Sequence, residues 1–327
     1  MFNRIVRRTL WVVGIGGLVG FGLLNVLAYN HAYAMTHFFD GGVRTDKPEQ
    51  LSASEKLNVL LRGVRMVRPA DAHVAAELDP ACTNLVIAEE GGVSLAAWYA
   101  DRGPSAPLVI VFHGYGSEKS QMLPEARALL GLGLSVLLVD FRGSGGSSGD
   151  YTTIGVREAD DVAAAVSTAK ACLPHAKLVL YGQSMGAAAI LRAVHERQVA
   201  PDAVILEAAF DSLLATVRNR FAAMHVPAFP SAELLVFWGG WQYGFNGFAH
   251  NPAEYATSLK CPALFLHGRG DRRVSVAESR RIFDAAPEPK AYKEFEDVGH
   301  QSCFQRCPEA WTSELADFLK GAGVLRP

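Results

Sequence analysis

Residues 178–190 read Leu-Val-Leu-Tyr-Gly-Gln-Ser-Met-Gly-Ala-Ala-Ala-Ile: a short apolar strand, Leu178 to Tyr181, then Gly182-Gln183-Ser184-Met185-Gly186, then a helix opening at Ala187. The five middle residues fit G-x-S-x-G. A serine held at a tight strand-to-helix turn sits on strained backbone, and a side chain two positions to either side would collide with the strand or the helix. Gly182 and Gly186 supply the missing volume. The turn also places Ser184 at a helix start, where free N–H groups favour negative charge. A chance match in a chain with 31 glycines would explain the string but not the strand before it and the helix after it.

Outward from this turn, Pro107 to Phe112, Ser135 to Asp140, Ala203 to Glu207, Ala263 to His267 and Ala291 to Phe295 read as further compact strands. Helix-length segments such as Val156 to Lys170 and Ala187 to Arg197 separate most of them. That alternation predicts an α/β fold, a mostly parallel central sheet with helices on both faces. Upstream, Asn84 to Glu89 and Val93 to Tyr99 flank Glu90-Gly91-Gly92 as a hairpin. The core is expected over 84–211 and 259–327. Residues 212–258 between them are too long for a plain connection and hold Phe221, Phe237, Trp238, Trp241, Tyr243, Phe245 and Phe248 within or beside them, which predicts an inserted helical cap. Those aromatics suit either simple filling or an acyl-binding, lipid-facing pocket.

Residues 31–83 read as a linker with one amphipathic helix, Ser54 to Val67, on Leu57, Leu60, Leu61 and Val64. Before it, Leu10 to Ala28 is an uncharged run of 19 residues, long enough to cross a bilayer, within an expected signal-anchor over 1–30. Arg4, Arg7 and Arg8 precede the run and no basic residue but histidine follows until Arg44, so the positive-inside bias predicts a cytoplasmic N-terminus. The remainder is then extracytoplasmic, periplasmic if the cell is Gram-negative. Ala32-Tyr33-Ala34 fits a cleavage site, and the alternative is secretion after cutting near Ala34.

The chain has 327 residues, 50% of them apolar, with 31 Lys+Arg against 33 Asp+Glu and a net charge of -2. That balance lacks the positive field nucleic acid requires. Cysteines at 82, 172, 261, 303 and 307 are too scattered for a disulfide scaffold or a zinc site. The close pair, Cys303 and Cys307, suits a disulfide or two thiols equally. Gly143 to Gly149 follows a strand, yet a dinucleotide loop would need glycine at 148, where Ser148 stands.

Four motifs stand in series: His113-Gly114-Tyr115-Gly116, Asp140-Phe141-Arg142-Gly143-Ser144-Gly145-Gly146-Ser147, the serine turn, and His267-Gly268-Arg269-Gly270-Asp271, closed by Gly299-His300. In that order, from about Asn84 to Leu319, the chain resembles the α/β-hydrolase superfamily. The likeness is to its esterase, acylglycerol-lipase, acyl-thioesterase and serine-aminopeptidase branch. The resemblance implies Ser184 as nucleophile, His300 as general base and Asp271 as the acid orienting it, with Asp211 as the alternative acid one strand earlier. An Asp211 outside that role would cap the following helix. The backbone N–H groups of Tyr115 and Met185 are the implied oxyanion hole. His113 shapes that loop, Arg142 braces the glycine-rich one, and His195 is an exposed helix residue.

The expected activity is hydrolysis of a carboxylic ester or thioester through an acyl-enzyme, with no metal or organic cofactor. The alternatives are an acyltransferase or aminopeptidase with the same triad, or a non-catalytic interaction protein. Expected partners are an acyl or lipid-like small molecule and the membrane, through the N-terminal helix; oligomeric state is open.

Overall fold

The computed structural model describes residues 2–45, 51–173 and 175–326. Among these, eight strands form one sheet: β1 (Thr83–Ala88), β2 (Ser94–Ala100), β3 (Leu108–Phe112), β4 (Ser135–Val139), β5 (Leu178–Gln183), β6 (Ala203–Glu207), β7 (Ala263–Gly268) and β8 (Lys290–Phe295). Their order is β1-β2-β4-β3-β5-β6-β7-β8. β2 runs antiparallel to β1 and β4, and from β4 to β8 every pairing is parallel. β3, β4 and β6 are buried at every residue, as largely apolar runs in a sheet covered on both sides must be.

The helices are α1 (Phe2–Thr36), α2 (Ala53–Arg62), α3 (Ala75–Leu78), α4 (Leu123–Gly131), α5 (Glu158–Cys172), α6 (Met185–Arg197), α7 (Leu213–Met224), α8 (Ser231–Tyr243), α9 (Pro252–Ala256), α10 (Val276–Ala285), α11 (Cys303–Arg306) and α12 (Pro308–Gly321). One sheet face packs against α5, α6, α9 and α10 through residues such as Val162, Ile190, Tyr255 and Ile282. The other packs against α3, α4, α11 and α12 through Leu78, Leu129, Cys303 and Trp311. β4 lies to one side of β3 and β5 to the other, so the crevice beyond the C-terminal ends of β3 and β5 is a topological switch point, the usual place for a ligand in such sheets.

Several elements differ from the sequence expectation. α2 stops at Arg62 rather than Val67 because Gly63 takes a φ of 83° and turns the chain. α3 follows within the stretch expected to be a linker. α1 continues past residue 30 to Thr36, since its last turns gain tertiary partners: Ala28 and Ala32 are buried, while Leu10, Trp11, Val12 and Leu18 stand exposed. Between β6 and β7, α7 and α8 share a small apolar cluster of their own, built on Leu213, Val217, Phe221, Ala232 and Val236. α8 lies along the end of α1. There the Trp238 indole donates to Asn25 Oδ1 at 3.1 Å, and Gln242 Nε2 donates to the Tyr29 carbonyl at 2.9 Å.

Candidate active site

β5 hands the chain to α6 through Ser184, whose φ of 52° and ψ of -110° are strained for any residue with a side chain. The two glycines make that turn possible. A Cβ on Gly182 would lie 2.5 Å from the Gly186 carbonyl carbon, and one on Gly186 would lie 2.5 Å from the Phe112 carbonyl oxygen on β3. Gly186→Ala is therefore expected to cost ~1–3 kcal/mol by overpacking, read as a lower urea midpoint. Gly321→Ala is the control, because its Cβ would meet nothing within 4 Å.

The structure brings Ser184, His300 and Asp271 together. Ser184 Oγ lies 3.2 Å from His300 Nε2, and His300 Nδ1 lies 2.7 Å from Asp271 Oδ2. An ionised carboxylate only accepts, so the proton sits on Nδ1 and the Nε2 lone pair faces the serine hydroxyl. That is the tautomer a general base needs. Asp271 Oδ1 accepts from the backbone N–H of Arg273 at 2.8 Å and of Val274 at 3.0 Å. Burial pushes its carboxyl up, but the His300 hydrogen bond and charge, with these two N–H groups, outweigh burial and hold it below the usual carboxylate value. Asp271 is thus ionised at neutral pH. Gly268 lets the histidine loop come close: a Cβ there would lie 2.4 Å from the Val298 carbonyl oxygen.

Asp211 is occupied elsewhere. Its Oδ2 accepts from Arg281 Nε at 2.6 Å and its Oδ1 from the Ser212 hydroxyl at 3.3 Å. Nor does it cap α7: Ser212 does, accepting from Ala215 N–H. Met185 is the first residue of α6, so its N–H has no carbonyl a turn earlier within the helix. Tyr115 follows β3 on the facing side of the crevice. His113, between β3 and Tyr115, accepts the Phe141 N–H at Nε2 (3.1 Å) and so donates from Nδ1 to the Gly114 carbonyl (2.8 Å); burial lowers its pKa to about 4 and keeps it neutral. Arg142 braces its loop through the buried Asp161, at 2.6 Å. His195 is exposed and meets Ser258 Oγ at 2.7 Å.

Two carboxylates support the histidine loop from beneath, and the sequence reading missed both. Glu207, the last residue of β6, accepts from Cys303 N–H (2.9 Å), Trp311 Nε1 (3.1 Å), the Tyr181 hydroxyl (3.0 Å) and Gln183 Nε2 (3.3 Å). It ties α11 and α12, just past His300, to the strand carrying Ser184. Its signal in sequence is an acid closing an otherwise apolar strand. Glu125 of α4 accepts from the Ser302 hydroxyl through Oε1, while its buried Oε2 meets no partner among the described residues. Burial pushes the Glu125 carboxyl up to about 7, with the Glu207 charge adding to it and the Ser302 bond opposing it. A carboxyl raised on folding holds its proton better in the native state, so stability falls as pH climbs from the unfolded value of ~4.3 through about 7. Glu125→Gln keeps the Ser302 acceptor but removes the ionisation, and is expected to flatten the decline in Tm between pH 5 and pH 8.

Cys303 and Cys307 are both free thiols, and burial pushes the Cys303 thiol far up, away from a nucleophilic thiolate. Asp71, Glu118 and Asp140 cluster, and Lys119 Nζ already lies 2.5 Å from Asp71 and 2.7 Å from Asp140.

A cavity of about 310 Å³ meets the site at Tyr115 and at Arg273, two residues after Asp271; Ser184 itself is not part of its wall. Its apolar lining includes Met35, Val59, Met66, Phe221 and Met224, and Arg44 and Arg220 join Arg273 there. The Arg220 guanidinium lies 5.3 Å from the Tyr115 ring centre, Arg44 donates to the Gly116 carbonyl at 2.8 Å, and the Tyr115 hydroxyl donates to the Met35 carbonyl at the end of α1. Of the aromatics in or beside residues 212–258, Phe221 lines this cavity, whereas Phe237, Trp241 and Phe248 face outward.

The family model described as Hydrolase_4, serine aminopeptidase, S33, matches residues 103–236. The uncharacterized protein Rv2307c of Mycobacterium tuberculosis is 32% identical over 229 residues, which is 69% of this chain and 75% of that one. The lysophosphatidylserine lipase ABHD12 of Rattus norvegicus is 23% identical over 210 residues, 61% of this chain and 50% of that protein. Among solved structures, the Pyrococcus furiosus esterase Pf2001 superposes with a TM-score of 0.66 at 27% identity, covering 79% of this chain and 98% of the esterase.

Proposed function

Because the chain belongs to the α/β-hydrolase superfamily of serine hydrolases, we propose that it cleaves carboxylic esters, thioesters included, through a Ser184–His300–Asp271 triad. The observation that carries this reading is the unbroken hydrogen-bond chain from Ser184 Oγ through His300 to a buried, ionised Asp271. Ser184 Oγ attacks the acyl carbon as His300 Nε2 takes its proton, and Asp271 stabilises the imidazolium. The N–H groups of Met185 and Tyr115 hold the oxyanion. Collapse of the tetrahedral intermediate expels the alcohol, which His300 protonates. Water, deprotonated by the same histidine, then attacks the acyl-enzyme and releases the acid.

The cavity supports an acyl ester over an amide with a free α-amino group. Met35, Val59, Met66, Phe221 and Met224 in its wall give an acyl chain apolar contact, whereas a substrate ammonium would lose hydration against them. The esterase and lipase relatives agree with this choice. We place residues 212–258 over the site as a cap. The apolar half of α1 is the membrane anchor, with Arg4, Arg7 and Arg8 on the cytoplasmic side and the catalytic domain outside.

A p-nitrophenyl ester series tests the acyl preference. Two methylenes buried in the cavity, at about 0.8 kcal/mol each, give roughly ten-fold in rate. Octanoate is expected to exceed acetate in kcat/KM by at least that factor. Equal or greater activity on acetate would contradict the proposed cavity role.

A further inference from the structure

The N-terminal helix meets the rest of the protein where its apolar run ends. From Leu10 to Ala28 a helix rises about 27 Å, close to the ~30 Å hydrocarbon core of a bilayer, so Asn25 to Tyr29 stand at its far boundary. α8 lies along α1 from that level to its end at Thr36. Besides the Trp238 and Gln242 bonds to Asn25 and Tyr29, the Tyr29 ring lies 5.5 Å from Trp238 and 6.4 Å from Trp241, centre to centre. Trp and Tyr concentrate at this depth because their rings suit one apolar and one wet side.

The outer side of this junction is aromatic and uncovered among the described residues. Trp241 is 63% exposed, Phe237 48% and Phe248 46%. From Phe229 to Phe248 the sequence holds a single Asp, Glu, Lys or Arg, namely Glu233, and Arg218 pairs with it at 2.5 Å. The face therefore carries no unbalanced charge to oppose entry into lipid. Continuity with the exposed apolar half of α1 selects a bilayer as its occupant over a charged partner.

The substrate cavity lies just beyond. His31 and Met35 of α1 form part of its wall, three and seven residues past Ala28, about 5 and 10 Å further along the helix. We infer that Phe237, Trp241 and Phe248 dock in the interface of the bilayer that α1 spans, and that the cavity receives single-chain acyl lipids from that surface. The docking rests on α1 as a membrane span. The lipid substrate rests also on the ester-hydrolase reading.

The test uses full-length protein in phosphatidylcholine nanodiscs. In a Trp11→Phe background, lipids brominated on their upper acyl carbons are expected to quench tryptophan emission, and adding Trp241→Phe to remove much of that quenching. Trp98 and Trp311 are buried in the body and contribute little, and the half-buried Trp238 beside Tyr29 accounts for the quenching that remains. Quenching unchanged by Trp241→Phe would overturn the docking. Phe237→Ser/Trp241→Ser/Phe248→Ser is expected to slow hydrolysis of a long-chain monoacylglycerol in vesicles by at least about ten-fold, and to leave soluble p-nitrophenyl butyrate within about two-fold. No selective loss on the vesicle substrate would overturn uptake from the surface. Fluorophosphonate labelling of Ser184 in parallel separates the two readings: an unlabelled serine counts against hydrolysis, whereas the quenching result judges the docking alone.

Discussion

Ser184→Ala is expected to lower kcat for ester hydrolysis by roughly 10⁴- to 10⁶-fold while KM and Tm stay near those of the parent. Among the described residues the hydroxyl makes one hydrogen bond, to His300 Nε2. The backbone strain at φ 52° exists with or without Oγ, and the neighbouring glycines, not the serine side chain, relieve the crowding. Removing Oγ therefore deletes the proposed attacking atom without opening a cavity or stranding a buried charge. The residue of activity would come from substrate binding and the proposed oxyanion N–H groups of Tyr115 and Met185. Steady-state kinetics on p-nitrophenyl octanoate, with thermal unfolding of the same preparation, checks both halves.

Asp271→Asn is expected to lower kcat by roughly 10³- to 10⁴-fold, and Asp211→Asn by no more than a few-fold. At position 271, an amide still accepts the Arg273 and Val274 N–H groups through its oxygen. It then presents its NH2 to His300 Nδ1, which must become an acceptor and move the ring proton to Nε2, the atom that has to take the serine proton. At position 211, the loss is an ion pair with the half-exposed Arg281, of a kind worth 0–1 kcal/mol. Equal losses from the two substitutions would reassign the acid. Asp271 also shapes acid stability: its carboxyl is depressed in the fold, so its contribution is present above the unfolded value of ~3.9 and is lost as pH falls below it.

The turn around Ser184 was legible because its constraint is local. Gly182 and Gly186 are separated from the serine by one residue on each side, and any Cβ there meets backbone, so the string itself encodes the sterics. The parallel sheet was legible for a similar reason, since runs such as Leu-Val-Ile-Val-Phe at 108–112 cannot serve as surface. Asp271 and Asp211 could not be separated by the same means. Both follow strands, and β6 and β7 are neighbours, so the choice depends on which loop the histidine reaches across the sheet. Glu207 and Glu125 were invisible for want of local partners: they hold groups 96 and 177 positions away.

The aromatics of residues 212–258 show the same limit. Their irregular spacing gave no periodicity from which to assign faces, and only packing separates Phe221, turned to the cavity, from Trp241, turned outward. Likewise, the apolar run of α1 is readable as a span, but nothing in its composition shows that His31 and Met35, beyond its end, wall the cavity. Such contacts lie between segments that are each ordinary alone.

The central claim is that Ser184 is an activated nucleophile, and covalent trapping addresses it most directly. Full-length protein in detergent is treated with a fluorophosphonate probe and digested, and the adduct is located by mass spectrometry. The account predicts one adduct, on the Ser184 peptide, absent in Ser184→Ala and formed more slowly in Asp271→Asn. A folded protein that stays unlabelled, or carries its adduct on another residue, would contradict it.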